Sequence, residues 1–277
     1  MNNKSIGLYV CWHNKCPSFD NELLYAVNDG IIEGDNISSK GLHYGELKVT
    51  YWIWKNAKED IVGLFHYRRF LNLLNNEAMC NKVSKDFASR YGFTRGRIIE
   101  LMGKYDVILP YKNPRIVKET HPSVYDYYAM EHFKDDLDIT LEILQEKYPQ
   151  MYDTAIEMLK NSKQGYVANL IIAKKEIFDR YASWLFDILF EVEKRIHDKV
   201  ILRDQYQQRV YGFISERLMA VFFEYLAKNE DINILEAPML FLEEDKWKFF
   251  KYYLKKINRK ILTLIGFGRK EWNLYVK

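Results

Sequence analysis

Cysteine is scarce in this 277-residue sequence, and long apolar runs are absent. Cys11, Cys16 and Cys80 show no CxxC spacing, and their odd number fits a reducing compartment, so we predict three free thiols. The apolar run near the N-terminus is too short and too polar for a signal peptide, and no segment approaches the roughly 20 apolar residues of a membrane span. These absences predict a cytoplasmic protein.

Internal repeats, low-complexity linkers and Pro/Gly-rich hinges are absent as well, so residues 1–244 are predicted to form one domain. With 48% apolar residues, the chain can bury a sizeable core. Residues 245–277 differ, because they contain ten Lys or Arg and two Asp or Glu, a balance of +8 that leaves −5 for the rest of a chain of net charge +3. They form a basic, aromatic C-terminal extension.

Short β-branched segments alternate along the chain with longer amphipathic segments. Strands are predicted at 5–12, 60–65, 105–110 and 166–173. Helices are predicted at 44–56, 123–147, 178–197 and 213–228. This alternation is typical of an α/β layer sandwich built on a single sheet.

Polar side chains follow several of the predicted strands. His13 comes after the first strand, His66, Arg68 and Arg69 come after the strand at 60–65, and Asn169 lies inside a late strand. In open α/β sheets the ligand crevice lies beyond the carboxyl ends of the strands. These side chains are therefore predicted to converge on one site.

Several motifs together resemble one bacterial protein family. They are DNIS at 35–38, ELKVTYWIWKN at 46–56, VGLFHYRRF at 62–70, ANLIIAKKEIFDRYASWLFDIL at 168–189 and RVYGFISERL at 209–218. In this order they resemble a domain of unknown function from capsular and exopolysaccharide gene clusters that is regarded as a glycosyltransferase. The resemblance spans residues 5–242.

The sequence departs from the pattern of that family in three places. Residues 32–34 replace a Gly-rich lead, Gly45 stands where Cys is usual, and residues 168–170 read Ala-Asn-Leu in place of Asn-Met-Phe.

The resemblance implies a GT-A-like (Rossmann-like) mixed sheet flanked by helices. It also implies transfer of a sugar from a nucleotide-diphosphate donor, and the family context points to UDP linked to galactose or galactofuranose.

The donor site is assigned from the strand ends and from the resemblance. In the GT-A fold a DxD motif holds a divalent cation, Mn²⁺ or Mg²⁺, against the donor diphosphate, but here His66-Tyr67-Arg68-Arg69 stands in that place. Two guanidinium groups suit a diphosphate, so a metal-independent mechanism is favoured. The alternative is a salt-bridged surface pair. His13, Asn169 and Arg217 complete the predicted donor set.

Asp35 and Asn36 have two interpretations of equal weight. Their short polar side chains either cap the next helix or bind the base and ribose of the nucleotide, and they count among the predicted donor-binding residues.

An inverting transferase needs a carboxylate that takes the proton from the acceptor hydroxyl. Glu216, placed at the start of a late helix, is the first prediction, and its alternative role is to interact with the helix dipole. Asp136 competes, because Tyr128, His132 and Asp136 follow each other at i, i+4 spacing on one predicted helix face. Tyr128 and His132 are assigned to acceptor binding.

The C-terminal extension interleaves aromatic and aliphatic residues with Lys and Arg from residue 246 onward. This pattern predicts a helix on the anionic inner face of the plasma membrane, where a lipid-linked or oligosaccharide acceptor would be presented. Its alternative is ordinary packing on the domain. No nucleic-acid-binding module accompanies the basic residues, so no nucleic-acid partner is predicted.

Two other functions compete with the glycosyltransferase prediction. They are an inactive nucleotide- or carbohydrate-binding module and a sugar-nucleotide hydrolase.

Overall fold

The computed structural model of the protein describes residues 4–13, 18–30, 33–112, 123–252 and 254. These residues contain the strands β1 Ile6–Trp12, β2 Leu24–Asn28, β3 Ile61–His66, β4 Arg69–Leu71, β5 Met79–Cys80, β6 Val107–Pro110, β7 Ile171–Lys174, β8 Ile234–Ala237 and β9 Met239–Leu242. The helices are α1 Leu47–Asn56, α2 Phe87–Tyr91, α3 Arg95–Met102, α4 Val124–Glu131, α5 Lys134–Lys147, α6 Pro149–Ile156, α7 Lys175–Val200 and α8 Val210–Asn229.

The strands form one mixed sheet. Its main body has the order β2-β1-β3-β7-β6-β8, in which β1 runs parallel to β2 and β3, whereas β7 is antiparallel to β3 and β6. β4 folds back from the end of β3, and β9 pairs with both β4 and β5 to extend the sheet. The predicted mixed α/β sheet flanked by helices is confirmed.

Alternate residues of the central strands face opposite layers, as the period of two in a strand requires. In β3, Val62 and Leu64 pack into the core formed with α1, α5, α7 and α8. Ile61 and Phe65 face the core that includes α2 and α3. Each such side chain contributes about 1.5–3 kcal/mol when it is fully buried. The two cores hold the sheet edge rigid where the polar residues emerge.

Helix α1 connects β2 to β3 and runs back across the sheet. Because β1 and β3 are parallel, the N-terminus of α1 lies beside the carboxyl ends of both strands. The helix begins at Leu47 and not at residue 44, because Gly45 has a φ of 48° that an α-helix does not allow. This short non-helical lead places Gly45 and Glu46 at the sheet edge.

The single helix predicted at 123–147 is wrong. The chain forms α4 and α5, and between them His132 adopts an extended backbone with φ −141° and ψ −179°. The His132 ring stacks at 4.0 Å on Phe213 of α8, and this tertiary contact accompanies the break. Tyr128, His132 and Asp136 therefore do not share one helix face.

The strand predicted at 166–173 begins only at Ile171, so Asn169 precedes β7 and does not lie within it.

Residues 246–252 are helical, and Trp247 and Phe250 are exposed there with their rings 5.8 Å apart. Tyr252 is buried and Leu254 is exposed, and residue 253 and residues 255–277 of the predicted membrane-binding extension lie outside the described residues. Cys11 and Cys80 are free, as predicted, and Cys16 is not among the described residues. Within the described chain, no helix has the length and apolar character needed to cross a bilayer.

Candidate functional site

An open cleft of about 290 Å³ lies at the edge of the sheet where β3 ends. The N-terminus of α1, the end of β3, the start of β4, the end of α4, the loop 201–209 and the first turns of α8 surround it. Its lining consists of Gly45, Glu46, His66, Arg69, Tyr127, Glu131, His132, Val167, Tyr206, Arg209, Gly212, Phe213, Glu216 and Arg217. The predicted convergence of polar groups beyond the strand ends holds for His66, Arg69 and the segment before β7.

Glu46 forms the centre of the charged side of the cleft. The amide of Asn169 donates a hydrogen bond of 2.9 Å to Glu46 Oε1, and the Arg209 guanidinium lies 3.9 Å from Oε2. Burial alone would raise the pKa of Glu46, but His66, the Asn169 amide and Arg209 together hold it below its ordinary value. Glu46 is therefore ionised at neutral pH.

His66 lies at the end of β3 beside this carboxylate. Burial, together with the nearby charges of Arg69 and Arg209, lowers the pKa of His66 to about 4, although Glu46 opposes the shift. Its Nε2 is buried and has no hydrogen-bond partner in the described part of the chain. At neutral pH His66 is thus an uncharged imidazole that faces the cleft.

Glu216 is the second carboxylate of the cleft, and its pKa is shifted in the direction opposite to that of Glu46. Burial raises the pKa of Glu216 to about 7, Glu46 adds to the rise, and Arg217 opposes it. Arg217 Nη1 lies 2.8 Å from Glu216 Oε2 and also donates to the carbonyl of Phe213. Two carboxylates whose environments separate their pKa values in this way can divide the base and charge-stabilising roles between them.

Glu216 lies in the second turn of α8, which begins at Val210. The alternative role for this carboxylate, an interaction with the dipole at the first turn of the helix, therefore does not apply.

The two arginines of the HYRRF motif point to different places. Arg68 donates through Nε to the carbonyl of Leu242 at 3.1 Å and pairs with Glu243 at 3.2 Å, away from the cleft. Arg69 lines the cleft, and its guanidinium has no hydrogen bond or ion pair within the described residues. Because successive residues of the turn and strand face opposite ways, only one arginine of the pair reaches the site.

The opposite side of the cleft is aromatic. The His132 ring stacks on Phe213 at 4.0 Å and contacts Tyr128 at 4.9 Å with the two rings tilted by 52°, and Tyr128 itself is fully buried. Gln207 Nε2 donates to the carbonyl of Glu131 at 2.8 Å, which fixes its Oε1 as the acceptor for His132 Nδ1 at 3.1 Å. Burial lowers the pKa of His132, so the neutral ring keeps an unprotonated Nε2.

Asp136 lies outside the cleft. Its two carboxylate oxygens accept hydrogen bonds of 2.6 and 2.8 Å from Arg203, and the side chains of Asp136 and Arg203 are only 2% and 7% exposed. The pair borders a separate hollow between α5 and the end of α7. The contacts of Asp136 are those of a buried ion pair that anchors the loop 201–209.

Three other predicted donor-binding residues do not line the cleft. Asn36 Oδ1 accepts a hydrogen bond of 3.0 Å from the backbone N–H of Ser38, in the turn that leads into the short 3-10 helix Ser38–His43. The backbone of Asp35 is held by hydrogen bonds to the side chain of Asn56. His13, after β1, packs edge-on against Tyr67 at 5.3 Å. The Asn36 side chain thus closes a local turn, whereas the N-cap of the helix that follows is Ile37, without a side-chain capping hydrogen bond.

Sequence reasoning missed several cleft residues, above all Glu46, Tyr206, Arg209 and Phe213. Glu46 and Arg209 stand at the starts of recognisable motifs, immediately before the first turns of α1 and α8. Tyr206 belongs to a loop without periodicity, so only the tertiary structure reveals it. No group of three or more His, Cys, Asp or Glu residues that could hold a metal ion occurs in the described chain.

Replacement of Gly45 by any other residue should destabilise the folded protein, because the φ of 48° at this position lies in the left-handed region. A Cβ at Gly45 would lie 3.9 Å from Arg209 Nη2, which is ordinary contact, so the cost of Gly45→Ala is backbone strain alone. We expect a loss of about 1–2 kcal/mol of folding free energy in urea unfolding. Gly96→Ala in α3, where a Cβ meets no atom within 4 Å, is the control and should be neutral or stabilising. Equal effects at both positions would contradict this account.

The profile of the family described as "Domain of unknown function (DUF4422)" matches residues 8–229. Among solved structures, the apo structure of WbbM, a bifunctional glycosyltransferase, is similar, with a TM-score of 0.77 and 24% sequence identity. The similarity covers 86% of this chain and 45% of that one, so the chain spans less than half the length of that protein. At this identity the likeness shows a shared fold. No curated protein matches the sequence significantly.

Proposed function

The chain belongs to the DUF4422 family, and we propose that it is a glycosyltransferase that moves a sugar from a nucleotide-diphosphate donor to a hydroxyl group of a glycan acceptor. The observation that carries this proposal is the pairing, in one cleft, of a carboxyl group with a pKa of about 7, Glu216, with the guanidinium groups of Arg69 and Arg209. The fold shared with WbbM, a bifunctional glycosyltransferase, supports the same reaction class.

Unpaired polar atoms around the cleft also support a ligand there. Of nine buried side-chain nitrogen or oxygen atoms without a hydrogen-bond partner in the described chain, four belong to His66, Tyr128, Asn169 and Arg217, which line the cleft or lie directly behind it. Buried polar groups without partners are costly, and they cluster where a ligand can supply the missing bonds.

In the proposed reaction, the bond between the anomeric carbon and the phosphate oxygen breaks, and its electron pair leaves with the diphosphate. Arg69 and Arg209 stabilise that negative charge, a role that guanidinium groups perform well. The acceptor oxygen bonds to the anomeric carbon and transfers its proton to Glu216. A single displacement of this kind inverts the anomeric configuration. Neutral His66 and ionised Glu46 orient the groups around the reacting carbon.

The finer assignments of donor and acceptor are part of the proposal. UDP carrying galactose or galactofuranose is proposed from the resemblance in capsular-type motifs, and Arg69 and Arg209 are proposed to act without a divalent metal. The basic extension after residue 244, with exposed Trp247 and Phe250, is proposed to contact anionic lipid at the inner face of the plasma membrane and to meet a lipid-linked acceptor.

Donor binding tests the proposal directly. A thermal-shift screen against UDP, GDP, CMP and dTDP, each with Mn²⁺ or with EDTA, should show stabilisation that is selective for UDP and survives EDTA. Arg69→Ala and Arg209→Ala should each weaken UDP binding by about tenfold or more, since each removes a charged partner of the diphosphate. Arg68→Ala is the matched control, because Arg68 pairs with Glu243 outside the cleft.

Each contrary outcome has a specific meaning. A thermal shift that requires Mn²⁺ would leave the transferase proposal standing. It would contradict the proposal that Arg69 and Arg209 stabilise the diphosphate without a metal. Equal losses for Arg68→Ala and Arg69→Ala would contradict the placement of the diphosphate. The absence of a shift with every nucleotide would overturn the transferase proposal itself.

A further inference from the structure

Tyr206 presents an aromatic ring at the mouth of the cleft. Its centroid lies 5.1 Å from Phe213 and 6.0 Å from His132, so the three rings form one continuous aromatic wall. His132 and Phe213 stack on each other at 4.0 Å and are both partly buried, whereas Tyr206 remains 54% exposed. Of the rings in this wall, Tyr206 therefore has the largest surface available to a ligand.

The loop that carries Tyr206 is held in place before any ligand arrives. Asp204 Oδ1 accepts hydrogen bonds from the backbone N–H groups of Tyr206 and Gln207, and the Gln207 amide ties the loop to the end of α4. The buried pair of Arg203 with Asp136 anchors the start of the same loop. A ring fixed in this way loses little conformational entropy when a ligand stacks on it.

Charge distinguishes the part of the aromatic wall beside Glu131 from the place of the diphosphate, and the Arg209 guanidinium borders the wall at 5.9 Å from the Phe213 ring centroid. Glu131 lines the cleft beside His132 and Tyr206, and it has no ion pair among the described residues. Its negative charge disfavours a diphosphate there, whereas Arg69 and Arg209 favour one at the charged side. Glu216 lies one helical turn from Phe213, so an acceptor hydroxyl within reach of Glu216 belongs to a molecule that lies against the aromatic wall.

We infer that this wall is the acceptor subsite and that Tyr206 is the platform on which a neutral pyranose ring of the acceptor stacks, an inference that rests on the proposed transfer reaction. The electron-rich face of an aromatic ring attracts the C–H groups on the apolar face of a sugar. The Glu131 carboxylate and His132 Nε2 can accept hydrogen bonds from the sugar hydroxyls. An apolar platform with a few polar acceptors is suited to a polyhydroxylated uncharged ring.

The test uses methyl glycosides as probes of the subsite. Binding of methyl pyranosides of glucose, galactose, mannose, rhamnose and N-acetylglucosamine is measured by saturation-transfer difference NMR on the full chain with UDP present. At least one glycoside should bind, and Tyr206→Ala should weaken its binding by about tenfold, while Tyr206→Phe keeps it. Tyr25→Ala is the matched control, because Tyr25 is a similarly exposed tyrosine on β2.

UDP affinity, measured on the same variants, separates this inference from the proposed function. Normal UDP binding with no glycoside bound, or with glycoside binding unaffected by Tyr206→Ala, overturns the acceptor subsite and leaves the transferase proposal intact. Loss of UDP affinity in Tyr206→Ala would place the nucleotide on the aromatic wall and would also overturn the inference. Tyr206-dependent glycoside binding without any nucleotide binding would show a sugar platform at Tyr206 but would overturn both the transferase proposal and the assignment of the platform to an acceptor.

Discussion

Glu216→Gln should abolish sugar transfer while leaving the nucleotide bound. General-base catalysis contributes about 10²–10⁴ in rate, so we expect kcat to fall by about a thousandfold, with UDP affinity changed by no more than about threefold. The carboxyl group lines the cleft, and its pKa of about 7 lets it accept a proton near neutral pH. The measurement is release of UDP in the presence and absence of acceptor, which also separates transfer from donor hydrolysis.

The same pKa predicts how rate and stability depend on pH. Below about pH 7 Glu216 is protonated and cannot act as a base, so kcat/KM should fall about tenfold per pH unit. The folded chain holds this proton more tightly than the unfolded chain, in which the pKa is about 4.5. The folded state is therefore destabilised as pH rises from about 4.5 through 7, by up to about 3 kcal/mol.

Glutamine cannot titrate, so the Glu216→Gln variant should not lose folding stability between about pH 4.5 and 7 through this group. Its melting temperature relative to the wild type should be higher at pH 8 than at pH 5. Glu224→Gln is the control on the same helix, because Glu224 pairs with Lys112 away from the cleft. If Glu216→Gln keeps more than about a tenth of the wild-type activity, Glu216 is not the base.

Asp136→Asn should unfold the protein more readily without removing a catalytic group. The substitution leaves Arg203, whose side chain is 7% exposed, as a buried cation without its bidentate carboxylate. Breaking a buried pair in this way costs about 3–5 kcal/mol, which a shift of the urea midpoint would report. At a temperature where the variant remains folded, its kcat should fall far less than that of Glu216→Gln, because Asp136 anchors the loop 201–209 and does not line the cleft.

The matched control for this prediction is an exposed pair of the same geometry. Arg180 binds Glu230 through two hydrogen bonds of 3.0 and 2.6 Å, but the two side chains are 48% and 40% exposed. Glu230→Gln should cost no more than about 1 kcal/mol. A stable Asp136→Asn variant that loses transfer as completely as Glu216→Gln would contradict a purely structural role of Asp136.

Local pattern was sufficient to predict four of the nine described strands, β1, β3, β6 and β7, and the two longest helices, α7 and α8. β1, β3 and β6 lie within one or two residues of their predicted bounds, because their buried apolar runs have no competing periodicity. The break between α4 and α5 could not be predicted in this way, since helix-compatible residues continue through it. Stacking of His132 on Phe213, 81 positions later, accompanies the break, and such a distant partner has no local signature.

Both sides of the site could be predicted only in part, because on the aromatic side the sequence analysis named His132 but missed Tyr206 and Phe213. His66, Arg69, Glu216 and Arg217 follow strands or belong to recognisable motifs, and they do line the cleft. Arg68 could not be told from Arg69, because the direction of a side chain in a tight turn depends on pairing with β9. The part that each cleft residue plays in donor or acceptor binding stays a prediction, which the substitutions proposed above test.

The position of β9 in the sheet has a consequence for biosynthesis. The strand Met239–Leu242 lies between β4 and β5, although those strands leave the ribosome more than 150 residues earlier. Until β9 emerges, the nascent chain exposes one edge of β4 and one edge of β5, and unpaired edges of this kind invite association with other chains. The match to the family profile ends at residue 229, before β8 and β9, so the segment that completes the sheet lies beyond it. During synthesis, closure of this part of the sheet must therefore wait for insertion of β9.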